Sequence, residues 1–456
     1  MSPHLPSSPS TPATDADDRT SRRDRPPNRA RPSRRRFLAG LGATATAATT
    51  GLAGCAGGGD DPIRDDYPEG VLVDAGWPSP SRNDANTAYA LDGTVPDGAV
   101  DVEYPFGAPP APPTVAAGVV LVPGRTLRAV DPGTGETRWS RPYGSWTAPA
   151  VRDGVVYVPG ATGDDGSAET GSDSDEGVAS AKDAEDADGT GALVGLDVRS
   201  GEDAWRVSLP GRPTGPVAFG NPPDQLFVPV AGGRVCGVSI DPPEHRWTAS
   251  VFGEVAAPLA ANLAQLFLAT STGELYSFGR DGTAAWRRNL HARLSAPPVA
   301  GDSRVYVGTK AGEVLALDRT DGSLAWRFEG GGFVEDPLAF DGRRLYAAAG
   351  DLVVLRADTG EVTWRYEAPG GIGSGPIVVD GTVFVGAEQS RTEQGHGADD
   401  GSLVALDADG GGFASGPRRW QLQIGDFVGH GLAYADGRVF VPTLSTEGAY
   451  TLTTVR

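Results

Sequence analysis

From about residue 100 to the C terminus, short runs rich in Val, Leu and Tyr recur, such as VVLV, VVYV, LVGL, QLFV, RVYV and RLYA, and the last strands of the units alternate apolar with polar residues. A period of two is that of a strand with one buried face. The runs belong to a unit of about forty residues that recurs along the chain. A small residue or Pro leads into an apolar pair, an Asp-Gly-like turn and an alternating V-x-V strand. A strand of the form L-x-A-L-D follows, then a turn x-x-T-G-E and a last strand carrying Trp. The clearest copies are LRAVDPGTGETRW (127–139), LVGLDVRSGEDAW (193–205), VLALDRTDGSLAW (314–326) and LVVLRADTGEVTW (352–364), with weaker copies ending at Trp247, Trp286 and Trp420.

Each position in the unit has a physical reason. Asp131, Asp197, Asp318 and Asp407 are placed to cap the turn with an Asx hydrogen bond. Gly135, Gly201, Gly322 and Gly360 supply the positive φ that other residues avoid. Ala129, Gly195, Ala316 and Ala405 are small, which is expected to leave room for the neighbouring unit. The Trp of the last strand is expected to dock between units and bury a large apolar area. One such four-stranded sheet cannot cover its own faces, so the units must stack in a closed ring.

Seven strands carry the repeat Trp: Trp139, Trp205, Trp247, Trp286, Trp326, Trp364 and Trp420. After Trp420, GLAYADGRVFVPTLSTEGAYTLTTVR supplies three strands and no fourth. Before the first full unit, Val100–Phe106 is a lone strand with Tyr104 in the Trp position. That strand can complete the last unit and remove the exposed edges of the ring. The expected fold is therefore all-β: an eight-bladed propeller of four-stranded antiparallel blades closed by an N-terminal strand.

Charge narrows the partners. The 456 residues carry 59 acidic and 39 basic side chains, a formal net charge of −20, and only Lys182 and Lys310 are lysines. Phosphate-rich partners would be repelled, so nucleic acid and anionic lipid surfaces are disfavoured. An acidic, lysine-poor surface resembles that of proteins from extremely halophilic archaea. The two cysteines, Cys55 and Cys236, are not expected to pair, so a large repeat core must hold the fold. The five histidines have no metal-ligand spacing, and no metal site is expected.

The first residues are an address. Residues 1–33 form an Arg/Pro/Ser-rich leader expected to be disordered, and 34–55 an export signal. Arg34 and Arg35, with Phe37 and Leu38 shortly after, resemble the twin-arginine signal. The weakly apolar stretch that follows ends in Leu52-Ala53-Gly54-Cys55, which resembles a lipobox. That resemblance implies cleavage before Cys55, lipidation of its thiol, and anchoring to the outer face of the cytoplasmic membrane. Residues 56–75 then serve as a tether, and 76–456 as the propeller.

The A-x-D-x-x-T-G-x-x-x-W pattern resembles the pyrroloquinoline-quinone (PQQ) repeat, and GWPSPSRNDANTAYAL (76–91) resembles the Trp…Asp…Asn-Thr opening of the same families. Among them the plan is similar to the BamB family, lipid-anchored eight-bladed rings that bind a partner and catalyse nothing. The resemblance implies a monomeric protein-interaction scaffold at the cell surface with an unknown protein partner, no catalysis and no cofactor. Two other classes stay open: a receptor for a small sugar or cation, and a PQQ-dependent dehydrogenase. Such dehydrogenases hold the quinone over the ring axis with Ca²⁺ and many carry a vicinal disulfide. Here no two cysteines adjoin and no C-x-x-C-H haem motif occurs.

The loops leading into the inner strands should meet at one mouth of the ring. They place Trp146, Arg212, Glu254, Arg293, Glu335, Asp336, Asp426 and His430 around a candidate binding funnel. Trp146 falls outside the repeat and is either an exposed anchor or packed beneath a neighbouring loop. Glu335, Asp336 and His430 are either a weak cation site or solvated rim. Two insertions, 162–190 and 387–401, fall between second and third strands, on the funnel side; the first is acidic and expected to be disordered. They either guard that face or are merely tolerated there.

Overall fold

A computed structural model of the chain describes residues 86–90, 93–106, 112–124, 126–143, 147–161, 191–220, 224–255, 257–262, 264–294, 296–388, 391–392, 395–396, 401–411, 417–429, 431–444 and 449–456. The export signal with Arg34, Arg35, Phe37 and Leu38, Cys55, the tether, the insertion 162–190, Trp146 and His430 lie outside the described residues.

The described residues are all-β, eight antiparallel four-stranded blades arranged as a propeller. In each blade, strands run from the axis outward. Blade 1 is Thr114–Ala116, Val119–Val122, Leu127–Val130 and Thr137–Arg141. Blade 2 is Ala150–Arg152, Val155–Ala161, Gly191–Asp197 and Asp203–Leu209. Blade 3 is Ala218–Phe219, Gln225–Val230, Arg234–Ile240 and Pro243–Ser250, and blade 4 is Ala260–Ala261, Gln265–Ala269, Glu274–Gly279 and Ala284–Asn289. Blade 5 is Val299–Ala300, Arg304–Gly308, Glu313–Asp318 and Leu324–Glu329, and blade 6 is Ala339–Phe340, Arg344–Ala349, Asp351–Arg356 and Val362–Tyr366. Blade 7 is Ile377–Val379, Thr382–Glu388, Gly401–Asp407 and Arg418–Gly425. Blade 8 takes Ala433–Ala435, Arg438–Leu444 and Tyr450–Val455 from the C terminus and Val100–Phe106 from the N-terminal side.

The core is a series of slabs between blades. Residues of blades 1 and 2 form one apolar cluster, 2 and 3 another, and 5 and 6 a third. Second and third strands are buried on both faces, whereas outer strands alternate, as in ieieieie for Pro243–Ser250. The forty-residue period thus follows from each blade's need for two neighbours to cover its faces.

The repeat aromatics join consecutive blades. The indole N–H of Trp139, Trp247, Trp286, Trp326, Trp364 and Trp420 donates to the carbonyl of Val198, Arg280, Arg319, Ala357, Ala408 and Pro96 respectively, at 2.9–3.0 Å. Each ring also lies against a turn glycine of the next blade. A Cβ at Gly360 would sit 2.5 Å from the Trp326 ring, and at Gly322 2.7 Å from the Trp286 ring. The glycine is therefore required twice, once by its φ of +76° at Gly360 and once by the approaching indole. Trp205 is the exception. The corresponding turn of blade 3 carries Pro243 four residues before Trp247, where the turns of blades 1, 2, 4, 5 and 6 carry Gly.

Two expectations need correction. The small residue of the third strand makes room for the Trp of its own blade, not for the neighbouring blade. Ala129, Gly195, Ala316 and Ala405 pair across strands with Trp139, Trp205, Trp326 and Trp420, and a Cβ at Gly195 would meet the Trp205 ring at 2.2 Å. Tyr104 is likewise not in the Trp register. Val102 pairs with Thr454, the place that Trp takes in the other blades, and Tyr104 pairs with Leu452 two residues on. Tyr104 still points to the same face, because strand side chains alternate. Its hydroxyl donates to Pro132 at 2.6 Å and its ring covers Gly135. A phenol reaches where an indole would have, and burial pushes its pKa up to about 12.

The Asx caps form in the described turns. Asp131 accepts from the Gly133 and Thr134 N–H groups, and Asp197 from Arg199 and Ser200, at 2.9–3.0 Å. Asp318 accepts from Thr320 and Asp407 from Asp409. Hydrogen bonds to the charged form hold Asp131 and Asp197 below the usual carboxylate range; for Asp131 the largest is from Arg138, for Asp197 from Ser200. Cys236 is fully buried in the core between blades 2 and 3, and burial pushes its thiol pKa up.

Candidate functional site

Two places on the ring carry polar groups that the blade repeat does not explain: the face bearing the loops into the inner strands, and the axis.

On the loop face, Arg212, Glu254 and Arg293 stand at equivalent positions in blades 3, 4 and 5. Each precedes a residue that bridges to its own second strand, as Pro213 to Val230, Val255 to Thr270 and Leu294 to Thr309. Their carbonyls accept from Ala231, Ser271 and Lys310 at 2.8–2.9 Å. Those three residues lie in the turns between second and third strands, so these turns and the loops into the inner strands share one face.

The charges on this face are partly consumed. The Glu254 carboxylate accepts from the Gly232 and Gly233 N–H groups at 3.2 and 3.4 Å. Glu335 pairs with Lys310 at 2.8 Å. Asp336 is half-buried and Asp426 buried, and neither is without a partner. Arg212 and Arg293 are exposed and form no ion pair among the described residues. The face thus holds Arg212, Glu254, Arg293, Glu335, Asp336 and Asp426, without drawing them into one cluster. Among the described residues no three of His, Cys, Asp or Glu are grouped as a metal-ligand set.

Two residues of this face escaped the sequence reading. Phe252 and Phe333 are 63% and 70% exposed, the most exposed large apolar side chains among the described residues. Phe252 lies two residues before Glu254 and Phe333 two before Glu335. The available signal was an aromatic in a loop where other blades place Pro210 or His291 in the case of Phe252, and Arg212, Glu254 or Arg293 in the case of Phe333. Arg287 stands 5.9 Å from the Phe252 ring and 5.6 Å from the Tyr276 ring while it forks onto the buried Glu274 with two bonds of 2.8 Å. The Phe252 ring is thereby set beside a fixed cation.

A segment of the chain lies against the inner strands at the axis. Tyr89–Ala90 pairs in parallel with Val378–Val379, on the axial side of the inner strand of blade 7. Just before it, the Asn86 side-chain amide donates to the carbonyls of Leu259 in blade 4 and Pro298 in blade 5, at 3.0 and 3.1 Å. Thr87 accepts from Phe340 of blade 6 at 2.8 Å. Asn86, Thr87 and Ala88 are 4%, 2% and 2% exposed. A segment that bonds to the inner strands or their leading residues in four consecutive blades lies inside the ring.

Quinoproteins carry their cofactor over the axis. Here the described axis presents an amide, a threonine and backbone, with no carboxylate set for a cation among the described residues. The described residues do not fit a quinone–metal pair.

Comparison with known proteins agrees with the fold. The family described as outer membrane protein assembly factor BamB matches residues 189–329, 271–351 and 329–412. No curated protein matches the chain. Among solved structures, BamB from Moraxella catarrhalis is 15% identical with a TM-score of 0.55, covering 78% of this chain and 99% of that one. Quinohemoprotein alcohol dehydrogenase from Comamonas testosteroni is 14% identical with a TM-score of 0.57, covering 83% and 80%. A europium-containing methanol dehydrogenase is 12% identical, also at 0.57, covering 84% and 98%. The chain has the β-propeller fold, and its residues 189–412 are similar to the PQQ-type repeats of that family model. It is similar in fold to an assembly factor and to dehydrogenases alike.

Proposed function

We propose that the chain is an exported, membrane-anchored propeller that acts as a monomeric protein-interaction scaffold outside the cytoplasmic membrane and performs no catalysis. The observation that carries this reading is the loop face, where exposed Phe252 and Phe333 accompany the exposed Arg212 and Arg293 on backbone pinned by hairpin turns. Aromatic and arginine side chains on rigid supports are what binding hot spots are made of. The match to the assembly-factor family supports a protein partner. The scaffold needs no cofactor. The acidic, lysine-poor composition supports a home in concentrated salt, as in halophilic archaea, and Cys55 is the proposed point of lipid attachment.

The dehydrogenase neighbours raise a second reading, an enzyme using PQQ and Ca²⁺. The groups that the described axis presents, an amide, a threonine and backbone, speak against it. Addition of PQQ with Ca²⁺ is expected to give no dye reduction with alcohols or sugars; turnover would favour the enzyme.

The scaffold is tested with a photo-crosslinking residue placed at 293 or 333 on the loop face, or at 343 on the opposite face, followed by irradiation of intact cells. Discrete adducts from 293 and 333 with none from 343 are expected. Adducts equal on both faces, or none from the loop face, would overturn the proposal. Cys55→Ala is expected to move the protein from the membrane fraction to the medium.

A further inference from the structure

We propose that the ring axis is a binding site for an extended peptide strand, filled in this chain by its own residues 86–90. The ligand it takes is a strand that offers a primary amide at its leading end and outward carbonyls behind it.

The donors and acceptors fit that description group by group. Leu259 and Pro298 are the residues immediately before the inner strands of adjacent blades, so their carbonyls are related by the blade repeat. One Asn86 side chain reaches both. A carboxamide has two N–H groups, which a hydroxyl or carboxylate lacks. Asn86 does this from a φ of +58°, a conformation Asn tolerates better than most residues. Behind it, the N–H groups of Phe340, Val378 and Asp380 point to the axis and donate to Thr87, Ala88 and Ala90 at 2.8–3.0 Å. Inner strands have one open edge, and a parallel strand laid along it satisfies these donors, as in recognition by strand addition.

The occupant arrives as part of a longer strap. Tyr434 donates to the Thr94 carbonyl at 2.9 Å beside blade 8. Pro96 accepts from Trp420 of blade 7. Gly98 and Ala99 donate to Arg456, and Val100–Phe106 pairs with the last strand. Between Asn86 and Phe106 one stretch therefore bonds to blades 4, 5, 6, 7 and 8, and through Tyr104 to blade 1. Ring closure and axis filling are done by the same segment, and the axial part is held by its own recognition groups. This inference stands apart from the proposed scaffold role, because it concerns the axis and not the loop face.

The test cuts the strap free without removing it. A specific protease site is inserted within 107–111 of the full chain, the protein is cut, and a fluorescent synthetic peptide of residues 76–106 is added. The peptide is expected to exchange into the ring, and one carrying Asn86→Leu to bind at least tenfold more weakly. Equal binding by the two peptides would mean that pairing with the last strand does all the capture, and would overturn the axial site. If the cut chain does not stay folded, the intact Asn86→Leu variant is measured by hydrogen exchange. The amides of Phe340, Val378 and Asp380 are then expected to exchange at least tenfold faster while those in blade 2 do not change. Unchanged exchange at the three amides would overturn the proposal.

Discussion

The indole N–H of Trp420 donates to the carbonyl of Pro96 at 3.0 Å, although 324 residues separate them along the chain. The turn it meets is assembled from two pieces, Gly98 and Ala99 from one end of the ring and Arg456 from the other. A bond made between adjacent blades elsewhere is here made across the point of closure. Trp420→Phe is expected to lower stability by about 1 kcal/mol, the net worth of a typical hydrogen bond. Trp420→Ala, which also removes the packed ring, is expected to cost about 3–5 kcal/mol. Denaturant unfolding at high salt measures both, and a Phe variant as stable as the parent would deny the bond any role in closure.

The turn glycines separate two effects that usually occur together. Gly360 and Gly381 have φ of +76° and +69°. A Cβ at Gly360 would press on the Trp326 ring at 2.5 Å, while one at Gly381 meets nothing within 4 Å. Both Ala variants should lose stability from backbone strain, by about 1 kcal/mol. Gly360→Ala should lose at least about 1 kcal/mol more, because overpacking adds its own penalty. Equal losses would show that the ring contact is slack.

Gly195 lies under the Trp205 ring of its own blade. Gly195→Ala is therefore expected to destabilise the parent chain but to be nearly neutral once Trp205→Leu has removed the indole. A double-mutant cycle reads the coupling, expected within about 0.5–3 kcal/mol for residues in contact. Independent effects would mean that the small residue serves the neighbouring blade after all.

Glu274 is buried and receives two bonds from Arg287 and one from Asn289, each at 2.8 Å. The Arg287 bonds lead the causes that hold its carboxyl below the ordinary value of 4.5. A carboxylate with a lowered folded pKa adds stability that is fully present above its unfolded pKa and is lost as pH falls through the folded one. Stability is thus expected to decline below about pH 4.5 partly through this group. Glu274→Gln should be less stable at neutral pH and decline less steeply in acid. Parallel pH profiles for the two proteins would remove Glu274 from the account.

Sequence alone determined what repeats. Alternation, the Asp caps at Asp131 and Asp197, the turn glycines and the Trp spacing are local rules, each satisfied within a few residues. Repetition of those rules carried the propeller and its eight blades, including the return of Val100–Phe106 to close the last one. The loops that would share a face were also legible, since strands alternate in direction and a loop's side follows from its place in the unit.

Tertiary structure decided what depends on residues meeting once. Nothing local distinguishes Val102 from Tyr104; the register against Thr454 and Leu452 does so, through a bulge whose position is set by pairing. The use of Glu254 and Glu335 by Gly232, Gly233 and Lys310, which leaves Arg212 and Arg293 as exposed cations, requires knowing the turn of the preceding blade. Asn86 stood in a stretch with no strand periodicity, so its course through the axis could not be seen in advance. Its two acceptors, Leu259 and Pro298, stand in adjacent blades, and Asn86 meets them from 173 and 212 residues away only when the ring brings its inner strands to one axis.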